Sequence, residues 1–395
     1  MTATAVATAV DVTPPPVRPR ALGFFDPPGP ARLVVGTFAA VTLPLAAVTL
    51  LAPSGELLWV YLWLFGMTHF VLTLTVYLQW QNLRHFAGTW PRRLLFFGLP
   101  VGIFVGFDLL HAGRIGMSFP VFALVFWGAV RLLDFNHFNR QSFGVYQLFK
   151  GRTRVKYSSR LKAAEDLFFG SLTLLLFVTF LSGGLAPVLQ PGGPLSLWDG
   201  AGIIPPVVPT AVAQLAFLAL SVIAVSLGGW CMAELVRQWR AAGEPAGLGL
   251  ALGYFAVQAV ASLMAAVSFP LYVAALAVHY VEYHVLMYPR CFRSRLDATA
   301  RVDRVFAKLR ESRVVFYAAV VAAAGLVTAF AAAGMGSMGR HPGVFTEPRG
   351  YLVLIAAFDG LFVFHYVVEM FIWRFADPHF RQQLTGLYFA PKCAG

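Results

Sequence analysis

The chain has 395 residues, 58% hydrophobic and only 12% charged, with a formal net charge of +12 and a mean hydropathy of +0.69. A soluble domain carries about 25% charged residues, so this composition excludes an ordinary soluble protein, and the absence of strand-like alternation excludes a membrane barrel. The positive balance points to topology and not to nucleic acid, because Lys and Arg collect in the cytoplasmic loops of membrane proteins. Cys231, Cys291 and Cys393 are odd in number and widely spaced, without a C-x-x-C pair. Neither a disulfide framework nor a thiolate metal site follows from them.

Residues 1–31 are rich in Ala, Thr and Pro and lack the apolar centre of a signal peptide. They read as a disordered cytoplasmic arm. Apolar segments follow at approximately 32–52, 57–80, 94–113, 117–137, 167–189, 207–233, 246–269, 271–288, 314–334 and 351–373. Each is about 20 residues long, enough for a helix to cross a hydrocarbon core of about 30 Å. The chain is thus expected to be an all-α, polytopic membrane bundle of about ten transmembrane helices over 32–373, with a cytoplasmic tail at 374–395.

Basic residues orient the bundle. If both termini are cytoplasmic, the outer connections hold only Arg114, Arg340 and Arg349, whereas 140–162 and 290–313 are dense in Lys and Arg. This asymmetry predicts a multi-pass protein of the cell membrane with both ends inside. The basic loops also suit anionic lipid headgroups.

Four apolar segments carry an acid and a histidine about one helical turn apart: Asp108/His111, Asp134/His137, His279/Glu282 and His365/Glu369. An ionisable group at bilayer depth costs roughly 2.5–3.5 kcal/mol, so several together need a shared cause, and ligation of a metal is one. His365 and Glu369 are about 40° apart around their helix and His279 and Glu282 about 60°, whereas His284 lies about 140° from His279. His69 falls near the middle of its segment. Asp134/His137 is read equally as ligand or as a network with Arg131 and Arg140. Asp108/His111 reads as a solvated helix end beside Arg114, His341 and His379 as exposed, and His85 as a residue at the inner boundary that could line an entrance.

The candidate ligands are therefore His69, His137, His279, Glu282, His284, His365 and Glu369. Imidazole and carboxylate without thiolate suit iron first, mono- or dinuclear, with zinc or manganese as other options. Such a centre within a lipid bilayer predicts a metal-dependent oxidoreductase on a lipid-like substrate, served by an electron donor. The physical idea is similar to that of the integral-membrane desaturases and hydroxylases. Their H-x-x-x-H and H-x-x-H-H boxes are absent, so the chain is not read as a member. Two other readings are a b-type haem or quinone-linked electron-transfer protein and a proton-coupled transporter.

Overall fold

The computed structural model describes residues 36, 38–51, 62–111, 128–151, 153, 155–183, 186–187, 208–243, 247–338, 349–374 and 376–388. The N-terminal arm, His341 and Cys393 lie outside them, as does the side chain of His111. Among the described residues the chain is helical and has no strand. Its α-helices are α1 (Leu43–Leu51), α2 (Thr68–Leu74), α3 (Trp80–Ala87), α4 (Trp90–Arg93), α5 (Leu99–His111), α6 (Gly128–Gly151) and α7 (Ser159–Leu181). There follow α8 (Thr210–Ala241), α9 (Leu248–Ala265), α10 (Phe269–Arg293), α11 (Arg301–Arg310), α12 (Arg313–Met338), α13 (Arg349–Ile372) and α14 (Pro378–Tyr388). Short π-helical turns precede α1, α2 and α5.

Local chemistry sets several of these limits. The Ser158 hydroxyl accepts the Leu161 N–H at the start of α7, and Ser268 accepts the Leu271 N–H at the start of α10, satisfying donors that a helix end leaves open. Pro270 occupies the first turn of α10, where no N–H is missed. Gly247, at φ 97°, makes the left-handed turn into α9 that a side chain would resist.

Three helices, α7, α8 and α9, are long and apolar enough to cross a membrane, and α11 with α12, bent by 106°, makes a fourth if the pair is one span. The apolar pieces Phe38–Ala47, Leu64–Leu78 and Gly360–Ile372 are shorter. On α8, Leu215 is 72% exposed, Val222 64% and Val225 63%, three apolar side chains on one stripe. In water such a stripe would invite association, whereas lipid is its natural solvent. The interior is packed with aromatic rings, among them Phe86 stacked on Phe96 at 4.0 Å and Phe168 on Phe255 at 4.9 Å.

Helix α13 packs on both α5 and α12, and its approach to α5 depends on a glycine. A Cβ on Gly360 would lie 2.5 Å from the Phe104 ring. Gly360→Val should therefore displace α13 and cost about 1–3 kcal/mol, read as a lower melting temperature in detergent. Gly102→Val, where no atom lies within 4 Å of the new Cβ, should leave it unchanged.

The tail is anchored, contrary to the expectation of an exposed His379. Asp377 caps α14 by accepting the His379 N–H at 2.8 Å and pairs with His85 at 3.2 Å and Arg92 at 3.9 Å. The His85 and His379 rings stack at 4.1 Å, and His379 Nε2 lies 3.1 Å from Asn82 Oδ1. Burial, the neighbouring His85 and the Arg290 and Arg92 charges lower the His379 pKa to about 4, against the opposing pull of Asp377. Burial and Arg92 likewise lower that of His85. Both rings take up a proton less readily in the docked state than in the open one. Docking stability is thus complete above about 6.5 and is lost as pH falls towards about 4. Hydrogen exchange of residues 378–388, corrected for intrinsic rates, should show protection at pH 7 and loss of it by pH 4; equal protection at both would remove this account.

Candidate metal centre

Five of the seven candidate ligands meet at one place. His69 comes from α2, His137 from α6, His279 from α10, and His365 and Glu369 from α13, and all are buried. They form two overlapping groups, His69/His137/His279 and His137/His365/Glu369, within each of which the ligand atoms lie no more than 4.8 Å apart.

The distances are those of a ligand shell. His365 Nε2 is 3.0 Å from His69 Nε2 and 3.2 Å from His137 Nε2, and His137 Nε2 is 3.4 Å from Glu369 Oε2. Atoms about 2.1 Å from one ion and about 90–110° apart are about 3.0–3.4 Å from one another. Proton sharing explains the arrangement less well. His69 Nδ1–H donates to the Gly66 carbonyl at 2.5 Å, a pure acceptor, which leaves Nε2 bare in the neutral ring. His365 Nε2 faces this bare nitrogen and His137 Nε2 together, and one N–H cannot point at both. One cation can.

Local structure aims each ring. The π-helical turn Leu62–Met67 ends where α2 begins, and such turns concentrate at functional positions. A Cβ on Gly66 would lie 3.1 Å from the Tyr280 ring, so only glycine lets that ring press on the carbonyl that orients His69. Thr73 Oγ1 is 2.6 Å from both His365 Nδ1 and Tyr283 OH, and it donates towards Glu369 Oε1 at 3.5 Å. Rings surround the imidazoles: Phe70 lies 4.5 Å from His365, Tyr280 4.7 Å from His69 and Tyr366 4.9 Å from His137.

The other candidates go elsewhere. Glu282 accepts the Tyr254 hydroxyl at 2.7 Å on the α9 side of its helix. His284 Nε2 lies 3.1 Å from Thr68 Oγ1 and its ring faces Tyr317. Asp134 accepts Tyr366 OH at 2.6 Å and Arg131 at 3.0 Å, the Arg131 half of the expected network, whereas Arg140 pairs with Asp166 and His137 joins the cluster. Asp108 is in neither group. His85, read as a possible entrance residue, is paired with Asp377. The residues that sequence reasoning passed over are Thr73, Tyr283 and Tyr366. Thr73 and Tyr283 stand four residues after His69 and His279, and Tyr366 beside His365, so the same one-turn spacing applied to hydroxyls would have found the first two.

Comparison of the chain with protein-family models, curated proteins and solved structures finds no match. Function must be argued from the site.

Hydroxyls that orient ligand imidazoles typically contribute roughly 10–100-fold in metal affinity. Thr73→Val should weaken the metal affinity by that factor in a chelator competition while the melting curve in the absence of metal stays in place, and Thr73→Ser should restore it. Equal affinities in all three proteins would reduce Thr73 to packing.

Proposed function

We propose that the chain is a membrane-embedded non-haem iron oxidoreductase, of the oxygenase, hydroxylase or desaturase type, acting on a lipid-like substrate. The observation that carries this reading is the two-histidine, one-carboxylate group His137/His365/Glu369 with two more imidazoles beside it. Two His and one carboxylate on one face of an ion, with positions left over, suit iron(II) and oxygen chemistry. His137 is common to both groups, and a neutral imidazole nitrogen has one lone pair to give. Iron would be held by His137, His365 and Glu369, with His69 and His279 beside them as further candidate ligands. Glu369 would balance the charge of the ion and the imidazoles would fix its geometry.

Iron would supply oxygen binding and one-electron chemistry, and an electron donor would complete the turnover. The chain's own residues do the rest. Aromatic rings exclude water from the imidazoles, while Thr73 and Tyr283 hold His365 in line. His279 Nδ1, buried and without a hydrogen-bond partner among the described residues, leaves polar capacity next to the centre for a proton or a polar atom of the substrate. The haem alternative fits poorly, because two axial nitrogens across a porphyrin stand about 4 Å apart, against 3.0 Å for His69 and His365. The same reading places about ten spans in the cell membrane with both termini cytoplasmic, supported by the confinement of Lys and Arg to alternate connections.

Elemental analysis of the full chain purified in detergent should find about one iron per chain. His365→Ala and His137→Ala should each retain less than about a tenth of it, and His341→Ala should retain all. Protein free of metal, iron content indifferent to the two substitutions, or a Soret band would each overturn the proposal.

A further inference from the structure

Where α6 ends and α7 begins, the chain forms an open cleft of about 610 Å³ lined by Lys150, Lys156, Lys162, Tyr157, Ser158 and Ser159, among others, with no acid among the described residues of its wall. Lys150 is 5% exposed. Its ammonium is fixed by Glu165 at 2.5 Å and lies 5.0 Å above the Tyr157 ring. Glu165 itself is fully buried, held by Tyr146 and Gln147, so its charge is spent on Lys150 behind the wall. Lys156 and Lys162 add two further cations at the wall. Ser159 opens α7, whose first-turn N–H groups add partial positive charge on the same side.

We infer that this cavity is a binding site for an anionic phosphate group. The ammonium groups of Lys156 and Lys162, two hydroxyls and a helix start, gathered around an open volume beside the Lys150–Glu165 pair and with no carboxylate among the described lining residues, suit a phosphate group. The depth suggests its source. α7, long and apolar enough to cross a membrane, starts at the cavity, so the lysines stand at the level of phospholipid headgroups. The fixed ammonium of Lys150 distinguishes this site from a merely basic loop, because it is ordered before any ligand arrives.

The test uses the full chain in detergent and reads retained lipid by native mass spectrometry, with phosphatidylglycerol and phosphatidylcholine offered in turn and inorganic phosphate as competitor. The wild type should retain phosphatidylglycerol over phosphatidylcholine. K156A/K162A should bind it about 30-fold more weakly, the loss expected from two lysines at headgroup depth. K156R/K162R should restore retention, and R301A/R304A, which removes two charges outside the cavity, should keep it. Displacement of the lipid by millimolar phosphate would assign the site to free phosphate, and resistance to it would assign the site to the lipid headgroup. Equal retention by K156A/K162A and R301A/R304A, or no preference for the anionic lipid, would overturn the inference. Iron content does not enter any arm, so the outcome is separate from that of the metal proposal.

Discussion

Everything near the centre of this bundle is arranged around three imidazole nitrogens, from α2, α6 and α13, that approach one another to 3.0 and 3.2 Å. Lone pairs that close repel unless a proton or a cation lies among them. The buried Glu369 lies 3.4 Å from His137 Nε2 and 3.9 Å from His365 Nδ1, where its charge too would call for a cation. A charged carboxylate and a set of neutral bases in a dry volume each carry a desolvation penalty. On the proposed reading, a cation held among these groups would remove both at once.

The layer outside the ligands converts helix positions into ring orientations. Gly66, pinned under Tyr280, fixes the tautomer of His69; Thr73 and Tyr283 face His365; Asp134 holds the Tyr366 hydroxyl while the Tyr366 ring lies against His137. Polar contacts point outward and ring faces inward, so the centre is shielded without burying hydroxyls unpaired. Farther out, Arg290 donates to the Ile372 carbonyl at 2.6 Å and lies over Trp373. A guanidinium at that end of α13 answers the negative pole of the helix that carries two of the ligands.

What the sequence discloses of this arrangement is set by geometry that is local. One-turn spacing identified His365 and Glu369 together because about 40° of separation keeps both on one face. The same rule over-read His279/Glu282, where about 60° is enough to send the imidazole to the cluster and the carboxylate to Tyr254 on α9. Composition pointed to an all-helical chain with helices long enough to cross a membrane, because hydrophobic length is a property of a segment by itself. The stacking of His85 on His379 joins residues far apart in the chain, with no periodicity to announce it. The π-helical turn before His69 was equally hidden, since Leu62–Met67 has the composition of an ordinary apolar helix.

Helix α6 ties the two ends of the molecule's chemistry together. His137 and Lys150 lie on it thirteen residues apart, about 20 Å along the axis. With Lys150 at headgroup level, that length puts the ligand cluster well inside a hydrocarbon core of about 30 Å. Oxygen and alkyl chains concentrate at that depth, whereas water and ions do not. On the proposed reading, a centre so placed would draw oxygen and an alkyl substrate laterally from the lipid, through the aromatic packing about the imidazoles. Electrons and protons would come from the polar side. The buried polar groups Ser142 on α6 and Glu282 on α10 lie one to two turns from His137 and His279, where transfer of that kind would begin.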